Sequence, residues 1–168
     1  GVPTETAFLD EKFAHQTTDK HGPADLVVAN NVYAHIPDLL GFTRSLRTLV
    51  ADDGWVSIEV HHALNLITLC QFDTIYHEHA FYFTVTALEP LFRRHGLEIF
   101  HVEHLSIHGG SLRLFVGHAG VHPLRPSLHE LRTLEQAKGV AGTRYYEDFG
   151  DRVRRIRDDL VTLLGRLK

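Results

Sequence analysis

Several residue types and patterns are scarce in this sequence of 168 residues, and each absence excludes a class of protein. The only cysteine, Cys70, leaves no partner for an internal disulfide and too few thiolates for a cysteine-based zinc site. No apolar run reaches the ~18–20 residues that a membrane helix needs. The first residues have neither the basic start nor the apolar block of a secretory signal. Together these absences predict a cytoplasmic protein without a membrane partner.

Positive charge is also in short supply. The formal net charge is −4 and the sequence pI is about 6.4. Binding to nucleic acid depends largely on neutralising phosphates with lysine and arginine. The charge balance therefore predicts that nucleic acid is not a partner.

Histidine, in contrast, is abundant, with 14 residues, whereas methionine is absent. Histidine is the side chain that changes charge near neutral pH, and it is the commonest metal ligand. The excess therefore leaves three interpretations open, which are proton chemistry, metal binding and accumulation of histidines at the surface by neutral drift.

The first half of the chain alternates strand and helix signals. They predict a weak extended segment over residues 3–9, a polar helix over 10–20 and a strand over 24–31. A second helix over 37–50, a turn at 52–54 and a second strand over 55–61 follow. The near-continuous apolar run in 24–31 is typical of a strand buried on both faces. The alternation predicts a parallel, doubly wound sheet with helices on both faces.

The second half predicts a different arrangement. Short helices are expected over 63–71 and 84–95, followed by an antiparallel hairpin over 97–107 and 111–116. Glycine and proline in 118–126 predict a linker, so the chain divides into an α/β domain, 1–117, and a linker with helices, 118–168, that begin a C-terminal domain. The last helix, from 143 to the end, is amphipathic. We expect it to pack on a missing domain or on a partner, so self-association through it stays open.

The densest cluster of reactive side chains lies in residues 72–83. It places the phenol of Tyr76, the imidazoles of His77 and His79 and the carboxylate of Glu78 among aromatic rings. Apolar surroundings move pKa values toward general acid–base use, although a solvated surface loop would have the same composition. The two histidines lack a third ligand at a recognised spacing, so no metal site is predicted.

Polar residues also follow the first predicted strand. Asn30, Asn31 and His35 come at its carboxyl end, where ligands bind in doubly wound sheets. A turn and a helix cap would use the same residues. Glu59 lies inside an apolar strand, and a buried carboxylate needs a partner, either a ligand or another side chain.

The hairpin turn His108-Gly109-Gly110-Ser111 offers unhindered backbone amides, with Arg113 close by. Such a turn can hold phosphate oxygens. A plain hairpin would contain the same glycines.

Three of these segments resemble one enzyme family. Residues 29–38 are similar to the segment after the fourth strand of S-adenosylmethionine-dependent methyltransferases. The run from Gln71 to His79 with Tyr82 and Phe83, and then 105–113, resemble the sugar C-methyltransferases. These enzymes methylate carbon 3 of nucleotide-linked 4-keto deoxysugars during antibiotic sugar biosynthesis. The resemblance covers the chain from about residue 2 to its end and implies the Rossmann-like methyltransferase fold.

The resemblance also implies roles for the candidate residues. It makes His79 the base that removes the carbon proton, with Glu78 and Tyr76 orienting or polarising around it and His35 facing the substrate oxygens. S-adenosylmethionine would bind near Asn30 and Asn31, with Phe8 near its adenine ring. The nucleotide-linked (dTDP) keto sugar would contact Glu59, His108, Gly109, Gly110, Ser111 and Arg113. The family's zinc is structural and belongs to an N-terminal domain that has no counterpart in this sequence.

Other family features are missing as well. The glycine-rich cofactor loop and the acidic residue that binds the ribose have no counterpart, so the chain is expected to be the middle of a longer enzyme with an incomplete cofactor site. Two other functions stay open. One is a non-catalytic fragment that binds a nucleotide sugar or a partner protein, and the other is a methyltransferase acting on oxygen or nitrogen.

Overall fold

A four-stranded mixed sheet organises residues 1–167, which are the residues that this computed structural model describes. The strands are β1 (Ala24–Asn30), β2 (Val50–His61), β3 (Leu97–Leu105) and β4 (Ser111–His118). The helices are α1 (Glu11–His21), α2 (Leu39–Leu49), α3 (Ala63–Thr68), α4 (Val85–Arg94), α5 (Pro126–Lys138) and α6 (Phe149–Leu167). Lys168, which was expected to end the last helix, lies outside the described residues.

The strand order is β1-β2-β4-β3. β1 pairs with β2 in parallel, and β4 pairs with β2 and β3 in antiparallel fashion. The parallel pair and the closing hairpin were both predicted, and both are confirmed. The register places Asn30 beside Glu59, Glu59 beside Arg113, and Arg113 beside Glu103 in one row across the sheet.

The hydrophobic core lies on one face of the sheet. Val56, Ile58 and Leu114 from the strands pack there with residues of α2, α4 and α5 in a single buried cluster. On the other face, Leu26 and Val28 of β1 are 49% and 59% exposed. The expectation of helices on both faces, with β1 buried on both, is therefore wrong for residues 1–167, because no described helix covers this second face.

Three of the described helices, α1, α2 and α4, begin at a capping side chain. The Asp10 carboxylate accepts a hydrogen bond from the Phe13 amide at the start of α1, and the Thr84 hydroxyl accepts one from the Ala87 amide at the start of α4. Each side chain satisfies an amide that the first helical turn leaves free. The two predicted helices therefore form with ends within one residue of those expected.

Two local predictions are wrong. Residues 3–9 form no strand, and the turn expected at 52–54 lies within β2, which begins at Val50. The β1–β2 register shifts between Ala24 and Leu26 opposite this point, and a Cβ on Gly54 would collide with the Ala24 carbonyl oxygen. Because Gly54 has no side chain, β1 and β2 can approach each other closely where their register shifts. The sequence alone predicts a turn at this position.

The C-terminal helices differ in how they pack. Leu128 and Leu131 of α5 join the core, whereas α6 has no buried residue and exposes Leu160 and Leu164 to about half. None of the described helices combines the length and apolarity that crossing a membrane requires.

Candidate active site

A cavity of about 510 Å³ opens where the chain leaves β1 and β2. Parallel strands bring their carboxyl ends to the same edge, so residues distant in sequence meet there. The lining comes from the turn after β1, the end of β2, the segment 71–79 and the hairpin turn, and consists of Asn31, Ala34, His35, Glu59, Val60, His61, Gln71, Asp73, Thr74, Tyr76, His79, His108 and Gly109.

His79 is held in a defined tautomer. Its Nδ1 lies 3.0 Å from the Thr74 carbonyl oxygen, which can only accept, so Nδ1 carries the proton. Nε2 is then a lone-pair acceptor, and the Tyr76 phenol lies 2.9 Å from it. The neutral imidazole is therefore a base at Nε2, and the phenol donates to it.

A second imidazole lies against the first. The rings of His35 and His79 are 4.8 Å apart between centroids, and His35 Nδ1 donates to the Glu78 carbonyl oxygen at 2.9 Å. The Ala80 amide donates to the Ala34 carbonyl oxygen at 2.9 Å. The turn after β1 thus binds the main chain of residues 78–80 and holds His79 beside His35.

The side chain of Glu78 has a different environment from its main chain. It is 64% exposed, and the exposed His77 imidazole lies 4.0 Å from its carboxylate. The main-chain carbonyl group of Glu78 holds His35, which any residue at this position could do. A role for its carboxylate stays a prediction.

Tyr82 completes the aromatic wall around His79. Its hydroxyl lies 3.4 Å from the Thr74 carbonyl oxygen, and its ring is perpendicular to the His79 ring at 6.0 Å. Burial raises the pKa of Tyr82 above its ordinary value. The phenol therefore stays protonated and can only donate to that carbonyl.

Glu59 is buried with two partners from this chain. Its carboxylate accepts from Asn31 Nδ2 at 3.0 Å and from the Arg113 guanidinium at 3.3 Å. Arg113 also lies 3.6 Å from Glu103. The buried carboxylate thus has the side-chain partners that its position requires, and it links Asn31 on one strand end with Arg113 on β4.

The hairpin turn presents its carbonyl groups to the protein. The Gly109 oxygen accepts from Gln71 Nε2 at 2.7 Å, and the Gly110 oxygen accepts from the His62 amide at 3.3 Å. His108 and Gly109 line the cavity, whereas Ser111 is buried. Anion binding by this turn stays a prediction.

Two predicted cofactor contacts lie outside the cavity lining. Asn30 is exposed at the end of β1, and Phe8 is 97% exposed in the segment before α1. Within residues 1–167 no group of three or more histidine, cysteine, aspartate or glutamate side chains is placed to hold a metal ion.

Three residues were given no catalytic, cofactor-binding or substrate-binding role from the sequence. Thr74 orients His79, Gln71 contacts the hairpin turn, and His61 Nε2 lies 3.0 Å from Gln71 Oε1. Gln71 and Thr74 belong to the motif that ends in His79, and His61 ends a predicted strand, so their positions in the sequence offered a signal.

His61 makes folding stability depend on pH. Partial burial lowers its pKa below the ordinary 6.5, the Gln71 hydrogen bond opposes this, and nearby His79 and His108 reinforce it. The unfolded chain therefore takes up a proton below pH 6.5 that folded His61 resists, and stability falls until the pH reaches the lowered pKa. We expect the free energy of unfolding to decline over this range, and less steeply in His61→Gln.

Urea denaturation at several pH values between about 7.5 and 5 measures the difference. Glutamine keeps a side-chain donor for Gln71 but does not titrate, so it isolates the proton. Parallel curves for the two proteins would contradict the assignment.

Comparison with known proteins relates this site to a family. A family model described as "Methyltransferase domain" matches residues 3–102, and one described as "C-methyltransferase C-terminal domain" matches residues 106–168. The C-methyltransferase NovU of Streptomyces niveus is 36% identical over 165 residues, which are 98% of this chain and 39% of that protein. The chain thus spans less than half the length of this curated relative.

Solved structures with a similar arrangement include two methyltransferases. A SAM-dependent methyltransferase from Anabaena variabilis is 20% identical, with a TM-score of 0.48 over 66% of this chain and 55% of that chain. An O-methyltransferase family protein from Burkholderia thailandensis is 17% identical, with a TM-score of 0.47 over 70% of this chain and 36% of that chain. Because the first family model spans more than half of the sequence, including both strand ends that form the cavity, the chain belongs to the methyltransferase domain family and has its Rossmann-like α/β fold.

Proposed function

We propose that this chain carries the catalytic base of an S-adenosylmethionine-dependent C-methyltransferase that methylates carbon 3 of a nucleotide-linked 4-keto deoxysugar. The observation that carries the proposal is the Nε2 lone pair of His79, whose tautomer the Thr74 carbonyl group sets. The printed name of the relative NovU, a C-methyltransferase, supports carbon as the methyl acceptor.

Methylation at carbon needs a step that methylation at oxygen or nitrogen can avoid. A carbon beside a ketone must lose a proton before it can attack a methyl group, and its acidity is too low for this at neutral pH. A positioned imidazole base and a donor to the enolate oxygen together lower this barrier. The geometry offers both groups, His79 as base and the Tyr76 phenol as donor.

Tyr76 must change its hydrogen bond during this step. Its phenol donates to His79 Nε2, the atom that would receive the carbon proton. When the substrate displaces the phenol from Nε2, the Tyr76 hydroxyl is free to donate to the ketone oxygen of the sugar, where negative charge develops. His35, beside His79, is placed to donate from Nε2 to an oxygen of the sugar, because its Nδ1 already donates to Glu78.

The residues at the end of β1 suit one part of the methyl donor. Asn30 is exposed there and Asn31 lines the cavity, and their amide groups can bind the charged amino-acid end of the cofactor. S-adenosylmethionine supplies the methyl group when bound.

The test is a proton-exchange and methylation assay of a full-length enzyme that carries this chain. With the dTDP-linked 4-keto deoxysugar in deuterated water, we expect carbon-3 exchange and, after addition of S-adenosylmethionine, a carbon-methylated sugar detectable by mass spectrometry. A methyl group found on oxygen or nitrogen, or sugar binding without either reaction, would favour the two alternative functions.

Arg113 gives a separate test of the substrate end. If it and the hairpin turn hold the diphosphate, Arg113→Ala weakens nucleotide-sugar binding by roughly 10–100-fold, because charge-assisted hydrogen bonds are lost. The loss is expected to be larger at low salt, where screening is weaker. Titration calorimetry at two salt concentrations measures it.

The matched control is Arg94→Ala, an exposed arginine at the end of α4. Thermal unfolding should accompany the titration, since Arg113→Ala also leaves the buried Glu59 without its cation. An unchanged dissociation constant would mean that Arg113 does not bind the nucleotide sugar and forms only structural ion pairs.

A further inference from the structure

The segment that carries His79 has little packing to hold it. Phe72, Ile75 and Tyr76 are 39%, 49% and 44% exposed. A catalytic imidazole must nevertheless be positioned closely, since small displacements are costly to the reaction. Hydrogen bonds therefore have to supply much of the order in this segment.

The amide of Gln71 ties the start of the segment to two other parts of the cavity. Its Nε2 donates to the Gly109 carbonyl oxygen at 2.7 Å, and its Oε1 lies 3.0 Å from His61 Nε2. A carbonyl group can only accept, which fixes the orientation of the amide. His61 must then donate from Nε2, so the amide clamps the end of β2 to the hairpin turn.

The main chain of Gln71 connects this clamp to the base. Its carbonyl oxygen accepts from the Thr74 amide at 3.2 Å and from the Thr74 hydroxyl at 2.8 Å. The Thr74 carbonyl oxygen in turn accepts from His79 Nδ1. Hydrogen bonds, joined by the covalent bonds of Gln71 and Thr74, thus connect His61 to His79.

The glycine of the hairpin turn fits the same arrangement. Gly109 has a φ of +75°, and a Cβ there would collide with the Gln71 amide. The positive φ favours glycine at this position, and the absence of a side chain leaves room for the Gln71 amide, which would have to shift if a Cβ were present.

We propose that Gln71 is a positioning residue for the reaction, which holds the Nδ1–H tautomer and the location of His79 through Thr74 and locks the hairpin turn against the same cavity. The inference rests on the proposed function and adds a residue outside the reacting groups. Gln71 does not need to touch the substrate to act.

The principal test is Gln71→Leu in the full-length enzyme, because leucine is of similar size but makes neither hydrogen bond. We expect carbon-3 exchange at saturating sugar to fall on the order of 10–100-fold. The dissociation constant of the sugar should change less than the exchange rate, because Gln71 does not act by touching the substrate, and the unfolding midpoint should fall no further than in the control variant. Asn65→Leu is the matched control, because the Asn65 amide lies 3.4 Å from the Gly110 carbonyl oxygen but has no connection to Thr74.

Gln71→Glu separates positioning from simple loss of folding. The carboxylate still accepts from His61 but cannot donate to Gly109 until it is protonated. Its exchange rate, taken as a ratio to the unchanged enzyme, should therefore rise as the pH is lowered. A merely structural role would give a ratio that does not depend on pH.

The outcomes are distinguishable. No exchange in the unchanged enzyme would refute the proposed function itself. Exchange in the unchanged enzyme and an equal rate in Gln71→Leu would refute the positioning role alone. A loss seen only in sugar affinity, or a pH-independent ratio in Gln71→Glu, would refute it as well.

Discussion

His79→Ala is expected to stop both carbon methylation and carbon-3 proton exchange in the full-length enzyme, with a loss of ~10²–10⁴-fold in rate. The reason is that the proposed reaction begins with deprotonation, and the Thr74 carbonyl group places the lone pair of the neutral His79 imidazole on Nε2. Loss of a binding contact would instead act mainly on the Michaelis constant. Proton exchange, followed by NMR without the methyl donor, isolates the deprotonation step.

His77→Ala is the matched control for this experiment. His77 is two residues away, its side chain is 91% exposed, and it does not line the cavity. We expect its exchange rate to match that of the unchanged enzyme. Removal of a histidine from the segment is thereby separated from removal of the base.

Tyr76→Phe tests the role of the phenol. It should slow exchange less than His79→Ala does, because the base stays while the donor to the enolate oxygen is lost. S-adenosylmethionine should still bind all three variants, since its proposed contacts are at the end of β1. If His79→Ala exchanges the proton at the normal rate, another group is the base, and His35 is the next candidate because its ring lies 4.8 Å away.

The parts of the fold that could be predicted depend on local signals. Asp10 and Thr84 mark helix starts because a capping side chain bonds an amide three residues on. The glycines between β3 and β4 predict the hairpin for a similarly local reason. That His35 and His79 belong to one site was implied by the family resemblance, and their rings lie 4.8 Å apart.

The parts that could not be predicted depend on distant partners. An apolar strand such as β1 has the same composition whether one or both of its faces are covered, so the exposure of Leu26 and Val28 leaves no trace in the local pattern. The ion pair of Glu59 with Arg113 depends on strand register between residues 54 positions apart. Gln71 likewise bonds residues 10 and 38 positions away, which no local motif specifies.

Glu135→Ala is expected to have the largest effect on stability. Glu135 lies on α5, is fully buried, and accepts from the Val85 and Thr86 amides at 2.9 and 2.7 Å and from the Thr86 hydroxyl at 2.6 Å. The fourth donor is His62 Nε2 at 2.9 Å. One carboxylate thus caps the first turn of α4 and joins α5 to the end of β2.

Removing this carboxylate leaves several buried donors without an acceptor. Leaving a buried donor without its acceptor typically costs about 1–3 kcal/mol, and four donors lose their acceptor here, so the total cost is expected to reach several kcal/mol. We expect a fall of that order in the free energy of unfolding, a large share of the ~5–15 kcal/mol that a domain has. Urea denaturation measures it, with Glu130→Ala as the matched control because Glu130 is an exposed glutamate of the same helix.

The pH dependence distinguishes a capping carboxylate from a residue that merely fills space. Burial alone would raise the pKa of Glu135, but hydrogen bonds from His62, Thr86 and Val85 hold it below the ordinary 4.5. A lowered carboxyl pKa contributes stability above the unfolded value that is lost as the pH falls through the folded value. Glu135→Gln keeps the volume of the side chain but not its charge. The difference in free energy of unfolding between the unchanged protein and this variant should therefore become smaller as the pH is lowered. A difference that stays constant down to low pH would mean that the charge of the Glu135 carboxylate does not contribute to stability, because the two side chains have the same volume.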